Sequence, residues 1–157
     1  MASEEAIKEV TISMASLNKK AKEVVENHHV TACTDITGFG LLGHCVEMAV
    51  ASDVTFEINV HDIAYVTDAI SYAKMGLVPA GAYKNRGYSS HQVDMTQVEE
   101  QFIDLLYDPQ TSGGLLISVA PEEVDDIMKE FEEKKMDTKV SIIGKVVEKG
   151  DKLIRLR

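Results

Sequence analysis

One segment of the chain combines a carboxylate with closely spaced glycines. Residues 34–44 read Thr-Asp-Ile-Thr-Gly-Phe-Gly-Leu-Leu-Gly-His, and a G-x-G-x-x-G pattern is formed by Gly38, Gly40 and Gly43. Between a predicted strand and a predicted helix, this pattern is typical of dinucleotide-binding domains. Asp35, however, lies just ahead of the glycines, and its charge would repel a pyrophosphate unless a metal ion lay between them. The chain is also short for a complete six-stranded dinucleotide-binding domain.

The same segment fits a loop that binds a metal ion and a phosphate. Proteins hold Mg²⁺ with one or two carboxylates together with substrate phosphate oxygens, and Asp35 could supply such a carboxylate. The glycines that follow would let the backbone approach a phosphate, and the helix predicted to begin at Phe39 would point its N-terminus at it. A purely structural interpretation, in which Asp35 or Thr37 only caps that helix, fits the pattern equally well.

Two further polar segments could contribute to a phosphate site. Residues 108–114 read Asp-Pro-Gln-Thr-Ser-Gly-Gly ahead of a predicted strand, and such a segment can form an anion-binding nest. Taken alone, it favours an ordinary turn. In residues 79–88, Lys84 and Arg86 could meet a phosphate and Asn85 could orient a ligand. The alternative for this segment is an exposed loop with solubilising charges.

The histidines and cysteines indicate no additional metal site. His28 and His29 are predicted to be a surface pair at a helix end, and His44 is expected to pack in a helix rather than to react. Cys33 is predicted to be a buried structural thiol and not a nucleophile. Cys33 and Cys45 lack the C-x-x-C spacing of a zinc site.

The composition is that of a folded globular domain. The chain has 157 residues, 45% hydrophobic and 27% charged, which favours a single domain spanning residues 1–157. A net charge of −10 without a sizeable basic cluster argues against nucleic acid or an anionic membrane as partner.

No apolar run approaches the roughly 20 residues of a membrane-spanning helix, and charged residues 1–8 predict no signal peptide. The two cysteines suit a reduced, cytoplasmic protein.

The hydrophobic pattern predicts helices alternating with strands around these segments. Helices are predicted at residues 3–27, 39–51, 63–75 (with Asp62 as cap), 98–107 and from Pro121 onward; strands are predicted at 30–36, 54–60, 114–120, 140–148 and 152–156. Residues 76–96 are predicted to be a long irregular loop. This alternation predicts an α+β fold, a mixed β-sheet packed with helices, whose strand order cannot be read from the sequence.

Three segments together resemble one family. Residues 34–44, 78–86 (Val-Pro-Ala-Gly-Ala-Tyr-Lys-Asn-Arg) and 108–116 (Asp-Pro-Gln-Thr-Ser-Gly-Gly-Leu-Leu) are similar, in order and spacing, to segments of selenophosphate synthetases (selenide, water dikinases). The wider superfamily includes aminoimidazole ribonucleotide synthetase. The resemblance covers essentially the whole chain but only the C-terminal half of such an enzyme. One departure is Ala80, where the family often has a second glycine.

The resemblance implies a fold like the C-terminal domain of aminoimidazole ribonucleotide synthetase. It also implies the conversion of ATP, selenide and water to selenophosphate, AMP and phosphate, with Mg²⁺ neutralising the phosphates. Asp35 matches the family aspartate that reaches the metal ions. The residues expected to shape the phosphate loop or line the cleft are Thr37, Gly38, Gly40, Asn85, Thr111, Ser112 and Gly113.

No catalytic residue is expected within this chain, because the family's nucleophile, a cysteine or selenocysteine, lies in an N-terminal domain that the sequence does not contain. The resemblance therefore implies that this chain alone is inactive and needs that domain as its partner. Family members dimerise mainly through their N-terminal domains. A homodimer is implied for the full enzyme, while the oligomeric state of this chain is left open.

Other functions fit parts of the pattern. The chain could belong to another ATP-dependent enzyme related to aminoimidazole ribonucleotide synthetase. It could be an NAD-binding oxidoreductase domain, an interpretation that rests on G-x-G-x-x-G alone and that a thermal shift with NAD would favour. It could also be a non-catalytic nucleotide-binding or scaffold module. A module that only keeps the fold, without chemistry, predicts no metal or nucleotide effect even in the presence of an N-terminal partner domain.

Overall fold

A computed structural model describes residues 2–157 of the chain. The helices are α1 (Glu4–Ala15), α2 (Lys19–Val25), α3 (Gly40–Ser52), α4 (Ala69–Lys74), α5 (Ala80–Ser89), α6 (Glu100–Leu106) and α7 (Val124–Lys134). The strands are β1 (Val30–Asp35), β2 (Val54–Ile58), β3 (Val93–Asp94), β4 (Leu115–Val119), β5 (Gly144–Glu148) and β6 (Ile154–Leu156). Short 3₁₀ turns lie at Val60–Asp62, Ser90–Gln92 and Pro121–Glu123.

The strands form two sheets. The larger sheet has the order β3-β6-β2-β5, in which β6 runs parallel to both β3 and β2 while β5 is antiparallel to β2. The smaller sheet pairs β1 with β4 in antiparallel register, with an irregularity between Val30 and Ala32. The predicted α+β fold with a mixed sheet is therefore confirmed. The division into two sheets was not part of the prediction, because pairing depends on contacts between segments far apart in the chain.

Two groups of buried side chains hold these elements together. The large core packs α3 against the larger sheet and α6, with Leu42, Cys45, Tyr107 and Ile154 fully buried. The small core lies between α2 and α7, and its buried members are Ala21, Val24, Ile127 and Phe131. Strand β4 contributes partly buried side chains to both cores. The smaller sheet thus joins the two cores.

The prediction of one continuous helix over residues 3–27 is wrong. Helix α1 begins at its N-cap Ser3, whose hydroxyl accepts from the Ala6 N–H, and it ends at Ser16, where the backbone is extended. The Ser16 carbonyl accepts a hydrogen bond of 3.1 Å from the Ser112 hydroxyl. A contact with a segment 96 residues away thus helps set the break between α1 and α2.

The prediction of a helix at residues 63–75 capped by Asp62 is also wrong about where the helix begins and which residue caps it. The Asn59 amide donates to the Asp62 carboxylate at 2.8 Å, and its oxygen accepts from the His61 N–H. These bonds fold Val60–Asp62 into a 3₁₀ turn. The α-helix then begins only at Ala69, after Asp68 in a left-handed conformation with φ 64°.

The irregular loop predicted at residues 76–96 contains helix α5 and strand β3. Two glycines in α5 give a poor helix propensity, but Ala82 and Ser89 are buried and α5 packs against α3 and α6. Tertiary packing therefore overrides the local pattern. No helix within the described part of the chain, residues 2–157, is long and apolar enough to cross a bilayer.

Candidate functional site

Of the three motif segments, the first (residues 34–44) and the last (residues 108–116) contact each other directly through their backbones. Asp35 ends β1 opposite Leu115 of β4. Beyond the strand, the Ile36 N–H donates to the Gly114 carbonyl at 3.0 Å, and the Gly113 N–H donates to the Ile36 carbonyl at 2.9 Å. The pairing of the smaller sheet is thereby extended into residues 36 and 113–114.

The turn into α3 is held by the same neighbouring segment. The Thr37 carbonyl accepts two hydrogen bonds of 3.0 Å, one from the Gln110 N–H and one from the Gly40 N–H. The first bond joins the turn to residues 108–114, and the second closes the turn itself. The backbone at Ile36 and Thr37 is therefore set by partners within the protein.

The middle segment joins the other two through Asn85 of α5. The Asn85 side-chain amide donates to the Gly38 carbonyl at 2.9 Å and to the Tyr107 carbonyl at 3.0 Å. Both amide protons are thereby used inside the protein, so Asn85 shapes the loop, and a role of its N–H groups in orienting a ligand would require breaking one of these bonds. All three segments lie at one place in the fold.

The glycines of the first and last segments differ in whether the surrounding packing requires a glycine. Gly40 has φ +70°, and a Cβ there would lie 2.8 Å from the Tyr107 backbone. A Cβ at Gly113 would lie 2.8 Å from the Ile36 carbonyl oxygen, whereas a Cβ at Gly38 would meet nothing within 4 Å. Gly40 and Gly113 are therefore required by internal packing, and Gly38 borders open space.

Asp35 lies on the exposed side of β1. Within residues 2–157 its hydrogen bonds all use its backbone, so its carboxylate is free to contact a ligand. No group of three or more His, Cys, Asp or Glu side chains that could hold a metal ion occurs in the part of the chain that the structure describes. Asp35 therefore fits a site in which one carboxylate joins phosphate oxygens and water around Mg²⁺, and it does not make a metal centre by itself.

The loop that follows α6 is ordered by its own polar groups. Burial raises the pKa of Asp108, whose carboxylate accepts from the Gln110 side-chain amide at 3.0 Å. The Ser112 hydroxyl is engaged with the Ser16 carbonyl, whereas Thr111 is exposed. Thr111 is thus the polar residue of 108–112 whose side chain is exposed to a ligand.

The two cations of the middle segment have separate roles. Arg86 pairs with Glu100 and lies 3.7 Å from Asp104, and the hydrogen bond to Glu100 is the main cause that raises its pKa. Burial raises the pKa of Asp104, so the guanidinium also compensates a carboxylate in a poorly solvated place. Arg86 is therefore occupied within the fold, while Lys84 is exposed.

Three other sequence predictions have mixed outcomes. Cys33 is exposed, not buried, because alternate residues of the two-stranded sheet face solvent. Partial burial of its sulfur, followed by the nearby Asp35 charge, raises its pKa, which disfavours the reactive thiolate form. Cys45 is fully buried and burial raises its pKa to about 12. His44 is buried, as expected.

The prediction that His28 and His29 form a surface pair is confirmed for His29 and wrong for His28. His29 is exposed, but the side chain of His28 is only 10% exposed and lies between two carboxylates. Its Nδ1 is 2.9 Å from Glu123 and its Nε2 is 3.0 Å from Glu130. Sequence reasoning missed this cluster because the two acids follow the histidine by 95 and 102 residues.

Comparison with known proteins gives consistent matches over nearly the whole chain. The family model "AIR synthase related protein, C-terminal domain" matches residues 3–156. "Selenide, water dikinase" of Caldanaerobacter subterraneus subsp. tengcongensis is 45% identical over 144 residues, which cover 92% of this chain and 42% of that protein. The protein of the same name from Clostridioides difficile is 47% identical over 144 residues, or 90% of this chain and 40% of that protein. "Selenide, water dikinase 2" of Peptoclostridium acidaminophilum is 44% identical over 146 residues, covering 93% and 42%. The chain thus spans about two-fifths of the length of these relatives.

Proposed function

Because the chain belongs to the family of AIR synthase related protein C-terminal domains, we propose that it is the C-terminal domain of an ATP- and Mg²⁺-dependent enzyme that phosphorylates selenide. The full reaction would convert ATP, selenide and water to selenophosphate, AMP and phosphate. The names of the relatives support this reaction. The proposal also places the whole enzyme in the cytoplasm, with selenide and ATP as substrates.

The observation that carries the proposal is the convergence of three motif segments on the loop that directly follows a free carboxylate. Hydrogen bonds from residues 85, 110 and 113 hold the loop that follows Asp35, while the Asp35 side chain faces solvent. A rigid frame with one unpaired acid is what a metal ligand in a phosphoryl-transfer site requires, because such catalysis depends mainly on positioning and charge neutralisation.

Each residue of this frame has a distinct role in the proposal. Asp35 would hold Mg²⁺, and the bound metal ion would offset the negative charge of the ATP phosphates. The N–H groups of Gly38 and Phe39 make no backbone hydrogen bond within residues 2–157, so they are the loop donors left for a phosphate oxygen. Gly38 has open space beside its backbone, which permits the close approach that such a bond needs.

The site in this chain is one part of a larger site. A single carboxylate does not hold Mg²⁺ and ATP together, and residues 2–157 contain no group of three or more His, Cys, Asp or Glu side chains that could hold a metal ion. We infer that an N-terminal domain supplies the remaining metal ligands and the nucleophile. In this proposal the chain alone is inactive, and it contributes no catalytic residue beyond the metal ligand Asp35.

A chimera tests the proposal directly. This chain would replace the matching segment of the Clostridioides difficile relative, and formation of selenophosphate, AMP and phosphate would be measured with ATP, selenide and Mg²⁺. We expect the chimera to be active and Asp35→Asn to lower its turnover by roughly 100-fold or more, since one preorganised electrostatic group is worth about that much.

The matched control is Asp126→Asn, which removes an exposed carboxylate of α7. Both variants should unfold at the temperature of the unmodified chimera. A correctly folded chimera without activity would contradict the proposed reaction. Full activity of the Asp35→Asn chimera would contradict the proposed role of Asp35 while leaving the family reaction in place.

A further inference from the structure

A buried histidine of α3 contacts the loop that carries Asp35. His44 is 7% exposed, and its Nε2 lies 3.1 Å from the Thr37 backbone nitrogen and 3.2 Å from the Thr37 hydroxyl. On the other side of the ring, Nδ1 lies 2.9 Å from the Glu47 carboxylate. The ring therefore bridges the second turn of α3 and the turn that precedes the helix.

The hydrogen bonds define which ring nitrogen carries the proton. A backbone N–H can only donate, so His44 Nε2 must accept from Thr37 and present a lone pair. The ring proton is then on Nδ1, where it is donated to the Glu47 carboxylate. Glu47 thus selects the tautomer and the orientation of the ring, in the way that a carboxylate orients a histidine in many functional sites.

This acceptor completes the hydrogen bonding of the loop backbone. The Ile36 N–H and carbonyl bond to Gly114 and Gly113, and the Thr37 carbonyl bonds to Gln110 and Gly40. Without His44, the Thr37 N–H would have no partner among residues 2–157. An unpaired, partly buried donor is unfavourable, and the peptide would turn toward solvent or toward another acceptor.

We propose that His44, oriented by Glu47, is a positioning residue that holds the peptide between Ile36 and Thr37 and thereby aims the Asp35 carboxylate. This inference rests on the proposed function for its effect on turnover, but the hydrogen bond itself is testable in this chain alone. His44 does not touch the reacting atoms. Its effect is transmitted over two residues of backbone to the metal ligand.

Two variants of His44 distinguish the loss of the hydrogen-bond acceptor from the loss of the imidazole ring. In His44→Gln the side-chain amide oxygen can take the place of Nε2, so the bond from Thr37 is retained. In His44→Asn the shorter amide reaches only the place of Nδ1, so that bond is lost. The control is His91→Gln, since His91 is exposed and its side chain makes no hydrogen bond within residues 2–157.

The first readout is nuclear magnetic resonance of this chain. We expect the ring ¹⁵N shifts of His44 to show a proton on Nδ1 and none on Nε2. Hydrogen exchange of the Thr37 amide should accelerate about tenfold in His44→Asn, the effect of losing one hydrogen bond, and change little in His44→Gln and in His91→Gln. An Nε2-protonated His44, or equal Thr37 exchange in the Asn and Gln variants, would overturn the inference.

The second readout is turnover of the chimera described above. We expect His44→Asn to lower kcat roughly tenfold with a smaller change in KM for ATP, because a displaced catalytic group loses turnover more than binding. His44→Gln should restore most of that loss. Faster Thr37 exchange with unchanged kcat would overturn the positioning role. An inactive parent chimera would instead contradict the proposed function and leave the resonance experiment to decide the hydrogen bond.

Discussion

The two nearly buried histidines, His44 and His28, have similar exposure but opposite partners. Their side chains are 9% and 10% exposed. His44 accepts a backbone N–H at one nitrogen and donates to Glu47 at the other. His28 faces a carboxylate at both nitrogens, Glu123 and Glu130. Both rings are held at two points. His28 needs a proton on each nitrogen to donate to both carboxylates, whereas His44 satisfies its two partners with a single ring proton.

The difference shows that the partner chemistry, rather than burial, decides what a histidine does in this fold. The hydrogen bond to Glu123 is the main cause that raises the pKa of His28, and Glu130 adds to it, whereas burial opposes the shift. His28 therefore ties the end of α2 to α7 by charge. His44 instead completes the backbone hydrogen bonding of a loop, which requires a lone pair.

The two histidines belong to regions that are held together in different ways. The loop region comprises residues 35–40 and 108–114 together with His44 and Asn85, which are joined mainly by hydrogen bonds to backbone groups. The clamp region comprises His28, Glu123 and Glu130, which are joined by side-chain charges. The loop region should therefore respond to changes of backbone geometry, and the clamp region to pH.

The largest effect is expected for Gly40→Ala in the loop region. An added Cβ would meet the Tyr107 backbone at 2.8 Å, and φ is +70°, so we expect a loss of about 3 kcal/mol in the free energy of unfolding. Gly38→Ala is the matched control, because a Cβ there meets nothing within 4 Å, and it should change stability by less than about 1 kcal/mol. Urea denaturation measures both. Equal losses would show that backbone geometry does not distinguish these positions.

A smaller and pH-dependent effect is expected for His28→Gln in the clamp region. A histidine whose pKa is raised on folding stabilises the protein below the unfolded pKa of about 6.5, and that contribution disappears as pH rises through the raised pKa. At pH of about 5.5 we expect the variant to lose about 2 kcal/mol, the scale of hydrogen bonds to a charged group. The loss should shrink steadily at higher pH.

Denaturation of the wild type and His28→Gln across pH measures this difference. His29→Gln serves as control, because His29 is exposed, and it should show no such trend. A loss for His28→Gln that stays constant from acid to alkaline pH would mean that His28 packs without carrying charge, and the contrast with His44 would disappear.

The smallest signal is expected when Mg-ATP is titrated into this chain alone. The loop region offers one free carboxylate, and no acidic cluster joins it among residues 2–157, so calorimetry should detect no heat of binding. Titration of the active chimera is the positive control. Tight, stoichiometric binding by the isolated chain would show that its nucleotide site is complete, and the inference of a divided site would be wrong.

The sequence predicted best those elements whose signals are local. Strand β1, helix α3 and strand β4 lie within a residue or two of their predicted bounds, because each has an apolar pattern bounded by glycine or polar residues. The fold class followed from the alternation of such elements. Residues 80–89 were predicted as loop and are helix, since their glycines lower the helix propensity while burial of Ala82 and Ser89 outweighs it.

The candidate site was only partly accessible to such reasoning. Asp35, Thr37 and the glycines follow from one contiguous segment, whose residue types alone indicate a carboxylate beside a flexible loop. That Gly40 is needed for packing while Gly38 is not depends on Tyr107, which is 67 residues from Gly40 in the chain. The roles of Asn85 and of Arg86 likewise depend on partners from other elements.

The sequence by itself determined the helices and strands with strong periodicity, the chemical nature of the loop at Asp35, and the order of the three motif segments. Only the tertiary structure decided that these segments meet, which of their polar groups are already used, and how the two buried histidines differ. The physical reason is that a residue's type sets which bonds it can make, whereas its partners are determined by packing between segments that can lie more than 100 residues apart in the chain.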